Sequence, residues 1–286
     1  MSKTVTLLGN IRTQQGRIDS FCRFVFERER IRIAKEAGKP RPWTKDPILQ
    51  TYHFCNVRRA DDRVTKWIGQ WAKKNFGKHG YWFAFCVARW FNSPETLEQL
   101  TPCIWPYDVR SMKNVCKEIK KSGASIMRGS YIINSAYAPG RKKWDAVIDG
   151  PLAQLYIEPP DISSVENSLE MCHKLLMTYQ GHGSFMAGQI VADWQTFDVV
   201  DGDDVNTWAP LGPGSNRGLK WIYAEEYRKR SYVQYMQSLL THLAEKDSKL
   251  ARTLTLHDVQ NCLCEFSKYV RGYSKTKYEP YQESFL

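Results

Sequence analysis

The chain lacks several features that would assign it to common protein classes. No apolar run approaches the roughly 20 residues needed to span a bilayer, and the N-terminus has no apolar signal region. The Gly-x-x-x-x-Gly-Lys-Ser/Thr order of a Walker A loop is absent, which argues against a kinase of the P-loop type. The eight cysteines form no Cys-x-x-Cys pair, so we expect reduced thiols in a cytosol and no structural zinc. No organic cofactor motif is visible.

Positive charge is abundant and unevenly placed along the chain. The formal net charge of the 286 residues is +11. Residues 1–150 carry 28 Lys and Arg against 13 Asp and Glu, whereas residues 151–286 carry 13 against 17. Such asymmetry is typical of a protein with one face for a polyanion. Charge and aromatic content together favour nucleic acid as the partner, and a soluble protein with a high pI is the alternative.

Apolar spacing and helix punctuation predict a mainly helical fold. Apolar residues repeat at helical intervals, and Ser, Asp, Pro and Gly stand where helices begin and end. The run from Tyr81 to Phe91 is apolar nearly all round, and we interpret it as a buried helix rather than a strand. Tyr131–Ile133 is a candidate short strand. Helices are predicted over residues 17–37, 64–71, 81–91, 94 onward, 108–123, 163–179, 184–195, 216–246 and 256–271.

Nothing in the sequence resembles a linker between domains. We therefore predict a single compact helical domain, with two lobes as a variant of it. Its core is expected over about residues 17–273, and residues 274–286 are expected to form a flexible tail.

Two segments carry the residue types that bind nucleic acid. The first, residues 42–63, places Arg58, Arg59 and Arg63 at a helix N-terminus, where guanidinium groups and backbone N–H groups make a phosphate site. Trp43 and Phe54 offer stacking faces for a base. The alternative is a capped helix with solvated arginines.

The second segment is a Gly-x-Gly turn that joins two predicted helices. Gly212 and Gly214 let the backbone approach a phosphate closely, and Arg217 and Lys220 follow them. Helix-hairpin-helix DNA-binding motifs use such a turn. A tight turn without a ligand is the alternative.

Two further places carry candidate acids and bases. Gln189 and Asp193 lie four residues apart on a mostly apolar helix, where a carboxylate is costly to bury unless it is paired or used. Asp193 is therefore a candidate general base, with ion pairing to a neighbouring helix as an equal alternative. Glu265 and Lys268 form a similar group, for which an intrahelical ion pair is the simple interpretation.

These segments resemble one known family. Pro-Trp-Thr-x-Asp-Pro-Ile-Leu at 42–49, Phe-x-Asn-Val-x-Arg at 54–59, Gly-Pro-Gly-Ser-x-Arg-Gly-Leu at 212–219 and Leu-Cys-Glu-Phe-x-Lys-Tyr at 263–269 are similar to the 5-hmdU DNA kinase helical domain family. That family is allied to the phage α-glutamyl/putrescinyl thymine pyrophosphorylases, also called amino acid:DNA transferases. The resemblance spans roughly Phe21 to Tyr273. Arg58 departs from it, because a less polar residue is expected there.

The resemblance implies a phage enzyme of the host cytoplasm that acts on double-stranded DNA. A kinase phosphorylates or pyrophosphorylates 5-hydroxymethyluracil, and the transferase replaces that leaving group with an amine from a free amino acid or polyamine. It also implies a fold related to helix-hairpin-helix DNA glycosylases. The candidate residues for contact with the base are Trp43, Asp46, Phe54, Asn56 and Gln189, of which the first four lie in the motifs at 42–49 and 54–59.

Two other functions fit the same residues. One is a non-catalytic, base-flipping DNA-binding module that partners a 5-hydroxymethyluracil DNA kinase, and the other is a base-excising glycosylase. The transferase is preferred, because phosphate binding alone needs no buried carboxylate. It would use Asp193, Glu265 and Lys268 for proton transfer, with Arg58, Arg59, Arg63 and Arg217 on the phosphate. We expect no metal and no organic cofactor.

Overall fold

A computed structural model describes residues 8–128, 138–274 and 276–278. The chain is mainly helical, as predicted, and the candidate strand Tyr131–Ile133 lies outside the described residues. Two compact units are present: unit 1 combines Met1–Asp62 with Val205–Leu286, and unit 2 is Arg63–Asp204. Among the described helices, none has both the length and the apolar character that crossing a membrane would require.

Unit 1 contains six α-helices and a short two-stranded ladder within its described residues. Its helices are α1 (Gln14–Glu36), α2 (Pro47–Thr51), α11 (Pro213–Tyr223), α12 (Tyr232–Lys246), α13 (Ser248–Ala251) and α14 (Leu256–Tyr269), together with 3-10 turns such as Arg59–Asp61, and its strands are β1 (Tyr52–His53) and β2 (Thr276–Lys277). Unit 2 is inserted between residues 62 and 205 and contains helices α3 to α10.

Local capping explains where the helices of unit 1 begin and end. The Thr13 hydroxyl accepts from the Gly16 N–H at the start of α1, and Gly38, with a φ of 66°, follows its end. Thr255 and Asp258 form a reciprocal capping box at the start of α14. The single helix predicted over 216–246 is wrong, because Ala224 adopts a φ of 48° and ends α11.

Aromatic rings fill the core of unit 1. The Phe21 and Phe266 rings pack edge to face with centroids 5.5 Å apart, and the Phe24 ring lies 4.9 Å from that of Tyr269. The apolar face of α1 therefore packs on α14, and a buried aromatic side chain on α1 removes far more apolar surface from water than a short one would.

Part of the predicted flexible tail pairs with the body of unit 1. Strands β1 and β2 are antiparallel, with Tyr52 opposite Lys277 and His53 opposite Thr276. The Tyr278 N–H extends this ladder by donating to the Thr51 carbonyl over 2.8 Å. Residues 276–278 thus form an edge beside α2.

Unit 2 is continuous in sequence and helical. Its helices are α3 (Arg63–Asn75), α4 (Lys78–Phe91), α5 (Pro94–Ile104), α6 (Val109–Lys121), α7 (Lys143–Val147), α8 (Ala153–Ile157), α9 (Leu169–Met177) and α10 (Ser184–Thr196), and a π-helical turn at Ile148–Leu152 joins α7 to α8.

The helix boundaries of unit 2 follow the predicted punctuation with one exception. The helix interpretation of residues 81–91 is confirmed, and Asn92 ends α4 with a φ of 49°. Ser93 caps α5 and Asp108 caps α6, as predicted. The helix predicted from Ser163 is wrong over residues 165–168, because α9 begins only at Leu169, where Ser168 is the cap.

Candidate nucleic-acid interface and reaction site

Helix α14 anchors the first predicted binding segment through its side chains. The Cys55 N–H donates to Glu265 Oε2 over 3.2 Å, and the Arg59 N–H donates to Asp258 Oδ1 over 2.8 Å. Asn261 Nδ2 donates to the Asn56 carbonyl over 3.2 Å. Side chains of α14 therefore hold segment 52–61 through the backbone groups of that segment. The side chains of the segment are left available for other contacts.

Glu265 and Lys268 form the predicted intrahelical ion pair. Lys268 Nζ lies 2.5 Å from Glu265 Oε1, and the Glu265 side chain is only 3% exposed whereas that of Lys268 is 21% exposed. Burial alone would lower the pKa of Lys268, but the adjacent Glu265 carboxylate outweighs it and raises the pKa. The lysine is thus an ammonium ion at neutral pH, held beside a largely buried carboxylate.

The two cysteines that flank this pair are not poised to be nucleophiles. Burial raises the pKa of Cys55 to about 12, and burial also raises the pKa of Cys264. A thiol with a raised pKa is neutral at pH 7 and reacts slowly. Glu265 and Lys268 are therefore the chemically competent pair at this position.

The glycines of the second segment serve helix packing. A Cβ on Gly214 would lie 2.3 Å from Cys264 Sγ, and one on Gly218 would lie 2.5 Å from the Leu263 carbonyl oxygen. Gly212 caps α11 and exchanges hydrogen bonds with the Ser215 hydroxyl. The turn was predicted to join two helices, but residues 197–212 contain no helix, so it only begins α11.

Arg217 and Lys220 lie on the outer side of the same helix. Both are exposed, and neither forms a hydrogen bond or ion pair with the residues that the structure describes. They are three residues apart and so share one face of α11. This face has the cations needed to contact a phosphate backbone, as the sequence predicts for these two residues.

The residues predicted to hold a base serve the structure of unit 1. Asp46 is buried, caps α2 and accepts from the Tyr269 hydroxyl over 2.6 Å. Phe54 is 7% exposed and packs edge to face on Phe24, so it is a core residue rather than an exposed stacking platform. Trp43 is half-buried and donates from Nε1 to the Lys39 carbonyl.

Arg58, Asn56 and Arg59 hold a turn. Arg58 Nε pairs with Asp61 Oδ2 over 2.6 Å, and Asn56 Nδ2 donates to the Asp61 carbonyl over 2.9 Å. Arg59 contributes its backbone N–H to Asp258, whose pKa is raised by burial. The predicted phosphate role of Arg58 therefore has to compete with an existing ion pair.

The remaining predicted site residues belong to unit 2. Asp193 is completely buried and forms a bidentate ion pair with Arg89, whose Nη2 lies 2.7 Å from Asp193 Oδ1. Arg89 Nη2 also donates to Thr65 Oγ1 over 2.8 Å. The ion-pairing alternative for Asp193 is the observed arrangement, and the guanidinium fork of Arg89 occupies both of its carboxylate oxygens. Gln189 is half-buried on the same helix, and Arg63 is exposed at the start of α3.

Sequence reasoning missed a basic cavity in unit 1. Arg28 and Lys35 of α1 line it together with His53 and Cys55 of segment 52–61 and Tyr278. A signal for it exists in the sequence: Arg28 continues the apolar stripe of Phe21, Phe24 and Val25 at helical spacing, so the pattern places a cation on the buried face of α1. Within the described ranges, no group of three or more His, Cys, Asp or Glu could hold a metal ion.

Comparison with known proteins relates the chain to one family. The family model described as 5-hmdU DNA kinase, helical domain, matches residues 15–278. A protein of Bacillus phage SP10 called 5-hmdU DNA kinase is 24% identical over 268 residues, covering 83% of this chain and 42% of the phage protein. The chain therefore spans less than half the length of the curated relative it matches.

No solved structure matches the chain, and the relationship to helix-hairpin-helix glycosylases stays a prediction. The family match covers both parts of unit 1 and the whole of unit 2. The chain belongs to the 5-hmdU DNA kinase helical domain family.

Proposed function

We propose that this protein modifies 5-hydroxymethyluracil in phage DNA by replacing a phosphate or pyrophosphate on the hydroxymethyl group with an amine. The observation that carries the proposal is the Glu265–Lys268 pair, a carboxylate and an ammonium held 2.5 Å apart beside a basic cavity. The relative's printed name supplies 5-hmdU in DNA as the substrate class. The proposed reaction takes place in the cytoplasm of the infected host, and a free amino acid or polyamine is its second substrate.

The proposed step uses both members of the pair. The amine nitrogen attacks the methylene carbon of the base, the bond from that carbon to the phosphate oxygen breaks, and the leaving phosphate keeps the electron pair. The proton lost by the amine passes to Glu265, while Lys268 stabilises the negative charge of the leaving group. Lysine suits this role because its ammonium group sits on a flexible stem and can turn from Glu265 to a phosphate.

Glu265 suits the role of base better than Asp193 does. Its ion-pair partner is a lysine whose side chain is 21% exposed, whereas the partner of Asp193 is an arginine whose side chain is 5% exposed. The guanidinium fork of Arg89 occupies both oxygens of Asp193. The oxygens of Glu265 accept from Lys268 and from the Cys55 N–H, and the flexible lysine stem can carry its ammonium group away from the carboxylate. We therefore assign the proton transfer to Glu265, and we assign to Asp193 a structural role in stabilising unit 2.

Replacing Glu265 by glutamine is expected to reduce amine transfer roughly 100-fold, the low end of a general base's contribution. The assay is mass spectrometry of nucleosides after incubation of phosphorylated 5-hydroxymethyluracil DNA with the protein and mixed amines. Glu245→Gln is the matched control, because Glu245 is an exposed glutamate of α12. Equal product from Glu265→Gln and the wild-type protein, at equal melting temperature, would exclude Glu265 as the base.

Replacing Arg217 or Lys220 by alanine is expected to weaken DNA binding without unfolding the protein. Each lost phosphate contact should reduce the slope of log affinity against log salt by about 0.9. The measurement is a titration of fluorescent duplex DNA at several salt concentrations, with Lys249→Ala on α13 as the control. An unchanged slope in the Arg217→Ala, Lys220→Ala double variant would remove this face of α11 from the DNA interface.

A second candidate function is a non-catalytic DNA-binding module that partners a 5-hydroxymethyluracil DNA kinase. The observation in its favour is that the matching family is described as a domain and that the chain covers only 42% of the relative. The nucleoside mass spectrometry described above distinguishes the two candidate functions. A module binds 5-hydroxymethyluracil DNA and raises the turnover of a separate kinase, yet yields no aminated nucleoside with any amine.

A further inference from the structure

The basic cavity of unit 1 holds a guanidinium group, that of Arg28, which the described residues leave partly unsatisfied. Arg28 is 6% exposed, and its Nε and Nη2 atoms find no hydrogen-bond acceptor among the described residues. Its other terminal nitrogen, Nη1, makes only a weak contact with Cys262 Sγ at 3.7 Å, and its Cζ lies 5.0 Å from the Phe24 ring centroid. Buried charges in proteins are normally paired, so two free donors on one buried arginine point to a ligand.

Three carboxylates of unit 1, those of Glu29, Glu265 and Asp46, are each engaged with a group other than Arg28. Glu29 pairs with Arg32 at 2.5 Å, and Glu265 pairs with Lys268 at the same distance. Asp46 caps α2 and accepts from Tyr269. The charge of Arg28 is therefore left for a group from outside the described residues.

A second cation strengthens the positive potential of this cavity. Lys35 also lines it, about two helical turns along α1 from Arg28, with Nζ 5.5 Å from the ring centroids of Trp43 and Tyr278. Burial lowers the pKa of Lys35, with Arg41 adding to the effect. Burial likewise lowers the pKa of His53, helped by the charges of Lys35 and Arg28. An anion bound between Arg28, Lys35 and His53 would reduce the repulsion among their positive charges.

The size of the cavity limits the ligand. Its enclosed space is about 20 Å³, and its mouth is open to solvent. Roughly 10–15 Å³ of such space holds one water molecule, so this cavity suits a compact ion better than a whole nucleotide. Arginine and lysine together offer a fork of N–H donors and a point charge, which is the combination that binds a phosphoryl dianion.

We infer that the cavity lined by Arg28, Lys35 and His53 is a binding site for a phosphate-class oxyanion. Arg28 Nε and Nη2 donate to two of its oxygens, and Lys35 supplies the second positive charge. The cavity adjoins the Glu265–Lys268 pair through Cys55, which lines the cavity and donates its N–H to Glu265. The inference rests on the proposed function only for the source of the phosphate, which is either the modified base or free phosphate.

The test begins with inorganic phosphate and the whole protein, without DNA. Isothermal titration should detect binding to the wild-type protein, and the His53 ring resonances should report a higher pKa in phosphate, since an anion favours the imidazolium form. Arg28→Met should raise the dissociation constant at least tenfold, and Lys35→Met should raise it several-fold. Arg30→Met is the matched control, because Arg30 is an exposed arginine of the same helix paired with Glu27.

The outcomes separate this inference from the proposed function. No phosphate binding by the wild-type protein, equal binding by Arg28→Met in a folded state, or binding of free amino acids but not phosphate would each overturn it. Competition between phosphate and duplex DNA carrying phosphorylated 5-hydroxymethyluracil identifies the base as the source. Phosphate binding without competition identifies free phosphate. If the protein binds phosphate in this way but never yields an aminated nucleoside, the inferred phosphate site stands and only the proposed transferase function is excluded.

Discussion

Asn in place of Asp193 is expected to destabilise unit 2 by about 3–5 kcal/mol, the cost of leaving one member of a buried ion pair without its partner. Arg89 would keep its full charge while its contact with Asp193 Oδ1 at 2.7 Å changes from a carboxylate to an amide. Both side chains are almost completely inaccessible, so water cannot take over the lost interaction. The measurement is chemical denaturation followed by tryptophan fluorescence.

Two further variants sharpen this prediction. Asp201→Asn, at an exposed position of unit 2, should change the free energy of unfolding by no more than about 0.5 kcal/mol. The double variant Arg89→Met, Asp193→Leu should recover much of the loss, because apolar replacement removes both buried charges. Near-native stability of Asp193→Asn combined with loss of amine transfer would instead restore Asp193 as the general base.

Valine in place of Gly218 is expected to cost about 3 kcal/mol, at the upper end of the range for overpacked positions. The first added carbon would lie 2.5 Å from the Leu263 carbonyl oxygen and 3.1 Å from its carbonyl carbon. These are backbone atoms in the middle of α14, so neither helix can relieve the clash by turning a side chain. The two helices would have to separate.

The matched control for Gly218 places the same side chain on the other face of the same helix. Lys220→Val should cost only about 0.5 kcal/mol, the difference in helix propensity, because Lys220 is exposed. Melting temperatures of both variants provide the comparison. Equal stability of the two proteins would show that α11 does not rely on close contact with α14.

Much of the helical fold could be predicted, because helix starts are set by neighbouring residues. Ser93 and Asp108 cap helices through bonds to amides three residues away, and such signals are visible in any sequence. The start of α9 was not predictable in this way. Its first amides, of Leu169 and Glu170, donate to Asp204, which lies 35 and 34 residues further along the chain. Ala224 likewise takes a φ of 48° that its residue type does not announce.

The candidate site was predictable in its local pairs and not in its distant ones. The Glu265–Lys268 pair follows from spacing on one helix, and the exposed cations of α11 follow from their position after a helix start. The partner of Asp193 lies 104 residues away in sequence, so only ion pairing as such could be foreseen. From the sequence, the glycines of residues 212–218 were interpreted as part of a phosphate site. The structure shows that Gly214 and Gly218 allow close packing on α14, a contact that the sequence alone does not reveal.

The interrupted layout of unit 1 has a consequence for biosynthesis. The core contact between Phe21 and Phe266 joins α1 to a helix that emerges from the ribosome some 240 residues later, after the whole of unit 2. Unit 2 is continuous in sequence and can fold first, whereas the aromatic face of α1 stays exposed until α14 has been synthesised. Nascent chains stopped after residue 204 should therefore contain protease-resistant unit 2 beside a cleavable α1, and the basic cavity should form only after Tyr278, one of its lining residues, has been made.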